Sequence, residues 1–190
     1  MTAIFTRWDA MQQPLESLAR EIAVLLSRFQ TKIVFAESCT GGLISATLAR
    51  IPGISNFLCG SAVVYRLDTK SRWLGVPESM LINPGPVSEA VARAMADGAL
   101  AHTPEADVAA SITGHLGPDA PIDQDGLIFV GIAVRGELCR IVEHRLPRFN
   151  TRVDQNLYPG ETEREQRQWA ATEFVFAQVA AAIREPRSAH

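Results

Sequence analysis

The sequence predicts an α/β fold in which a mixed sheet is covered by helices on both faces. Three observations carry that prediction. Short apolar runs alternate with stretches of helical periodicity, the pattern of strands joined by helical crossovers. Two later runs, Leu127 to Val134 and Leu138 to His144, are separated only by Arg135-Gly136-Glu137, so a hairpin adds antiparallel strands. A chain of 190 residues, 47% hydrophobic and 21% charged, is long enough for one substantial core, and no repeat or linker-like stretch divides it.

Taken in order, Pro14 suits the first turn of a helix whose stripe is Leu15, Leu18, Ile22, Leu25, Leu26 and Phe29. Ile33 to Ala36 reads as a short buried strand. Leu43, Ile44, Thr47, Leu48 and Ile51 then recur at helical spacing until Pro52 and Gly53. Phe57 to Tyr65 is β-rich, with Gly60 a candidate bulge. Asp68 caps a short helix from Thr69 to Leu74, closed by Gly75 and followed by Pro77. Pro84, Gly85 and Pro86 form a loop before a helix opened by Ser88, with Val91, Met95, Ala99 and Leu100 inward. Asp107 to Ile112 is a further strand, followed at once by a second glycine turn, Thr113 to Pro118, and an acidic loop from Asp119 to Asp125. Arg148 to Pro159 reads as irregular. Thr162 and Glu165 fit a capping box opening a last helix that buries Trp169, Phe176, Val179 and Ile183.

The totals exclude several function classes. A net charge of −3 with no Lys/Arg block argues against nucleic-acid binding. No run approaches a membrane span. Cys39, Cys59 and Cys139 are odd in number and far apart, which fits reduced thiols and a cytoplasmic setting rather than a disulfide framework. His102, His115, His144 and His190 have no ligand-like spacing, so a metal is not expected.

The chemistry concentrates around Lys32 to Arg50. There the strand runs into Glu37, Ser38, Cys39 and Thr40, then Gly41 and Gly42, then a helix. Strand, glycine turn and helix N-terminus make a nest of N–H groups that can hold a phosphate or steady an oxyanion. The Walker A and Rossmann spacings are both absent. Ser38 at the mouth of the turn is a candidate nucleophile. Cys39 is its rival, but no histidine lies near it in the sequence. Lys70 is a cation in the first turn of a helix, where the dipole repels it. Held neutral by burial, it could take the proton of a serine hydroxyl. Tyr65, at the end of the preceding strand, could pass a proton between serine, lysine and leaving group.

The segments AESCTGG (Ala36 to Gly42), VVYRLDTKSRWLGVP (Val63 to Pro77) and GPVSEAVARAMADGAL (Gly85 to Leu100) resemble the CinA C-terminal family. ITGHLGP (Ile112 to Pro118) and GLIFVGIAV (Gly126 to Val134) extend the resemblance over roughly Leu15 to Ile183, in what looks like the stand-alone form of the domain. It implies a three-layer α/β/α sandwich, a homodimer or higher oligomer, and hydrolysis of the carboxamide of nicotinamide mononucleotide with no cofactor. By the same resemblance Ser38 matches the nucleophile, Lys70 the base and Tyr65 the third catalytic member. Thr40, Gly41 and Gly42 match the turn beside the nucleophile. Thr113, Gly114 and Gly117 match the second turn, and Arg167 an arginine that opens the last helix. The departures are His115, Leu116, Asp119 and Ala120 in the second turn, and Leu67 where the family commonly has asparagine. Asp119, Asp123 and Asp125 would repel a phosphate if they faced the site.

Overall fold

The computed structural model describes residues 3–149, 158, 160 and 162–185, with side chains from residue 15 onward. Its elements are α1 (Ala3–Phe29), β1 (Ile33–Glu37), α2 (Leu43–Ala49), a 3-10 turn (Ile54–Asn56), β2 (Leu58–Val63), α3 (Leu67–Leu74), α4 (Glu78–Ile82), α5 (Glu89–His102), β3 (Val108–Gly114), β4 (Leu127–Val134), β5 (Arg140–Arg145) and α6 (Glu163–Arg184). The strands form one sheet in the order β2-β1-β3-β4-β5. β1 pairs in parallel with β2 and β3, while β3–β4 and β4–β5 are antiparallel. The predicted mixed sheet with helices on both faces is what the chain adopts.

Strand alternation sorts the core into two halves. Ile33 and Phe35 of β1, Val108, Ala110 and Ile112 of β3, and Ile128, Val130 and Ile132 of β4 pack with α1, α2 and α6. Val34, Ala36, Ala109 and Ala133 face α5 and α3 on the other side. Each fully buried large aliphatic side chain contributes roughly 1.5–3 kcal/mol, so the first half carries most of the apolar stabilisation. The second half is lined by small residues, and this lets α5 come close. A side chain at Gly131 would meet the Ala92 carbonyl at 2.8 Å, and Ser111 Oγ donates to that same carbonyl at 2.6 Å.

Several local expectations hold. Ser88 caps α5, accepting from Val91 N–H at 3.3 Å. Thr162 and Glu165 form the capping box of α6. The register of β2 on β1 skips from Leu58 to Gly60, so the bulge lies where the glycine predicted it.

Others are corrected. Pro14 lies inside α1 rather than opening it. Ile4, Phe5, Trp8, Met11 and Leu15 continue the helical spacing across it, and the lost N–H removes one rung of the ladder only. Asp68 is not the cap of α3. Arg66 holds that place in an extended conformation, and Asp68 is already in the first turn, where a carboxylate still favours the dipole. The short helix α4 after Pro77 was not anticipated. Most of the predicted irregular stretch from Arg148 to Pro159 lies outside the described residues.

Candidate active site

The parallel pairing brings the carboxyl ends of β1, β2 and β3 to one edge of the sheet. Neighbours lie on both sides of β1, which creates the crevice where open α/β sheets bind ligands. Ser38 follows β1, Tyr65 follows β2, and Thr113 to Gly117 end and follow β3. They line a cleft of about 460 Å³ together with Lys70 of α3 and Arg164 of α6.

The glycine turn after β1 takes its shape from Gly41 and Gly42, at φ 63° and 100°, which only glycine adopts without strain. From Gly41 to Ser45 its N–H groups are not open to a ligand. Glu37, fully buried, turns its carboxylate back into the nest and accepts from Gly42 N–H at 3.0 Å, Ile44 N–H at 3.1 Å and Ser45 N–H at 3.0 Å. Thr40 Oγ1 and Ser61 Oγ donate to it as well, at 2.9 and 3.0 Å. Gly41 N–H donates to Ser38 O. The predicted phosphate cradle is therefore filled from within. Thr40 and Gly42 serve Glu37, and an oxyanion must find other donors. The N–H of Thr40, two positions after Ser38, donates to no backbone acceptor among the described residues.

Ser38 and Lys70 do meet. Lys70 Nζ lies 2.7 Å from Ser38 Oγ and donates to the Val64 carbonyl at 2.6 Å. Lys70 is 1% exposed, and burial pulls its ammonium pKa down to about 8. The amine thus changes charge close to neutrality. As an ammonium it donates to Ser38; as a free amine it accepts the hydroxyl proton. Cys39 is excluded as the rival nucleophile, because burial pushes its thiol up to about 12 and the thiolate is the reactive form.

Tyr65 sits on the rim rather than beside the pair. It is 57% exposed, and its hydroxyl accepts from Arg164 Nη2 at 2.6 Å. Arg164 Nη1 donates to the Gly117 carbonyl at 2.7 Å, so one guanidinium spans from the second turn to the phenol. Both acceptors are neutral, and among the described residues Arg164 has no carboxylate partner. Thr113 Oγ1 donates to Pro86 O at 2.8 Å. Gly114 is required by packing, since a Cβ there would meet Ile128 Cγ2 at 2.6 Å.

Arg167 does not belong to the cleft. It is buried behind the second turn, paired with Asp125 at 2.6 and 3.1 Å and with Glu163 at 3.1 Å. Arg164, one helical turn before the Arg167 that the resemblance singled out, is the arginine of α6 that lines the cleft. The signal for it was the one that marked Lys70, a cation in the first turn of a helix. Asp125 accordingly faces Arg167, which holds its carboxyl below the ordinary range. Of the acidic loop, Asp119 lines the cleft, beside His115 and Leu116. Among the described residues no group of His, Cys, Asp and Glu could hold a metal, and no helix is long and apolar enough to cross a membrane.

Comparison with known proteins agrees with this architecture. A CinA-like protein of Dictyoglomus thermophilum is 43% identical over 124 residues, which is 64% of this chain and 30% of that protein. One of Gloeobacter violaceus is 42% identical over 133 residues, 69% of this chain and 31% of that protein. The chain thus spans about a third of the curated relatives it matches. The crystal structure of the competence/damage inducible protein CihA from Agrobacterium tumefaciens superposes with a TM-score of 0.75 at 28% identity, covering 90% of this chain and 96% of that one. A CinA superfamily protein from Klebsiella pneumoniae, 24% identical with a TM-score of 0.77 over 89% of this chain and 97% of its own, shares the fold. Since the family model of the CinA C-terminal domain matches residues 15–158, the chain belongs to the CinA C-terminal domain family.

Proposed function

We propose that the protein is an amidohydrolase that removes the carboxamide nitrogen of a pyridine nucleotide, nicotinamide mononucleotide, releasing the acid and ammonia. The observation that carries this reading is the 2.7 Å approach of a desolvated Lys70 to Ser38 at the floor of a cleft. The unneutralised Arg164 supports an anionic substrate. The neutral amine of Lys70 takes the Ser38 proton as Oγ attacks the amide carbon. Main-chain N–H groups after Ser38 bind the oxyanion. The Lys70 ammonium then gives the proton to the departing nitrogen, the C–N bond breaks, and ammonia leaves an ester on Ser38. Water attacks that ester, Lys70 takes its proton, and the acid departs with Ser38 restored. We assign Tyr65, held by Arg164, to the substrate wall rather than to proton transfer.

One observation favours a second reading, an amidase for a small amide without phosphate. Asp119 lines the cleft beside His115 and Leu116, and its carboxylate there opposes a phosphate. A binding protein without turnover is the third outcome. The test is ammonia release from nicotinamide mononucleotide by the wild type, Ser38→Ala and Lys70→Ala. Release lost in both variants supports the proposal. Release only from an unphosphorylated amide selects the second reading, and saturable binding with no ammonia selects the third.

A further inference from the structure

We propose that Glu37 is the positioning residue of the site, fixing Ser38 through its carboxylate and the anchor of Lys70 through its main chain. The carboxylate is fully buried and takes five donors, three of them consecutive-turn N–H groups of the segment that follows Ser38. A helix N-terminus ordinarily needs only a local cap from the residue before it. Here Gly42 occupies the cap position without a side chain, and an acid from the end of the preceding strand does the work. The turn is thereby tied to β1 and, through Ser61, to β2.

The main chain of the same residue reaches the other partner. Glu37 O accepts from Val64 N–H at 2.8 Å, and Val64 O accepts from Lys70 Nζ at 2.6 Å. On the far side Ser38 N–H donates to Ile112 O at 3.1 Å. Ser38, just after β1, and Lys70, on α3, are brought to contact by one residue between them. Burying a carboxylate is costly unless its lone pairs are filled, and filling them requires the turn to hold one conformation. Loss of the charge leaves at least one of the donors facing an amide hydrogen, so the turn relaxes and Ser38 moves. A misplacement of about 1 Å can lower a rate by roughly 10²-fold.

The inference concerns the dyad of the proposed reaction, but its test needs no substrate. Lys32 and Lys70 are the only lysines of the chain, so lysine labelled at Cε gives two side-chain signals by NMR. In the folded wild type the expected midpoint of the Lys70 signal is about 8. In Glu37→Gln, shown folded by circular dichroism, it moves up toward the ordinary value of about 10.4, and Lys32 serves as the unmoved control. Sulfonylation of Ser38 by a small sulfonyl fluoride, with loss of fluoride, slows by about 10²-fold. Ser61→Ala, which removes one donor at the half-exposed strand, shifts both readouts in the same direction by less and keeps the test open if Glu37→Gln does not fold. A folded variant with unchanged Lys70 titration and unchanged sulfonylation overturns the inference, because a residue that only stabilised the fold would lower the melting temperature and move neither. If both readouts shift but nicotinamide mononucleotide yields no ammonia from the wild type, the positioning role stands and the proposed substrate falls.

Discussion

Lys70 Nζ stands 2.7 Å from Ser38 Oγ while only 1% of the lysine meets solvent. Burial is the largest cause of its lowered pKa, to about 8, and the neutral amine is the form that accepts a proton. The turnover rate is expected to rise with pH through a single step near 8 and then level. A pH profile of kcat with a midpoint near 10, or one falling across this range, would remove Lys70 from the role of base.

The same group makes stability depend on pH. The folded pKa lies below the unfolded one, so the unfolded chain binds the extra proton between about 8 and 10.4, and stability rises with pH across that window. Between pH 7 and 9.5 this amounts to a gain of about 2 kcal/mol. Urea unfolding at the two values should show that gain in the wild type, and Lys70→Met should lack it.

Arg164 bridges Gly117 O and the Tyr65 hydroxyl without meeting a carboxylate. Arg164→Gln is expected to raise KM for the phosphorylated substrate by 10-fold or more, the scale of one lost hydrogen bond to a charged group. The unphosphorylated riboside should be much less affected. Equal loss for both substrates would assign Arg164 to the reacting amide instead.

Asp125 and Arg167 form a strut behind the second turn, and a Cβ on Gly117 would touch both, at 3.1 Å from Arg167 Nη1 and 3.2 Å from Asp125 Oδ1. Asp125→Asn should cost about 1–3 kcal/mol, the scale of a lost charged hydrogen bond to the buried guanidinium, which Glu163 still faces. The Asp125 pKa is depressed, so this contribution is present above about pH 4 and is lost as pH falls through the folded value. Wild type and variant should therefore converge in acid, as followed by urea midpoints from pH 7 downward.

Gly98 of α5 faces the end of α3, where an added methyl would overlap the Leu74 carbonyl. Gly98→Ala must push the two helices apart, and α3 carries Lys70. A destabilisation of about 1–3 kcal/mol is expected, with activity falling in the folded fraction. Calorimetry paired with the rate per folded molecule distinguishes this from simple loss of stability.

Much of this was legible in the sequence because its signals are local. β4 has the predicted bounds, Leu127 to Val134, and the caps at Ser88 and Thr162 were readable from their own neighbours. The pairing of Ser38 with Lys70 rested on a resemblance together with an out-of-place cation, since no local rule joins residues on different elements. Two features of the site escaped. That Glu37 folds back into the nest depends on a side-chain rotamer that spacing does not encode. The choice between Arg164 and Arg167 turns on the rotation of α6, and three positions move a guanidinium from the cleft to the interior. Asp68 misled because a good capping residue stood one turn-step inside the actual start.

Lys32 precedes β1 and Ser38 follows it, so the two ends of one strand are separated by about 20 Å. Lys32 is partly exposed and Lys70 is sealed. An amine-reactive dye or resin therefore has a single accessible lysine side chain to choose, and it lies at the opposite pole from the chemistry. The protein can be tethered or tagged there with its cleft left facing outward.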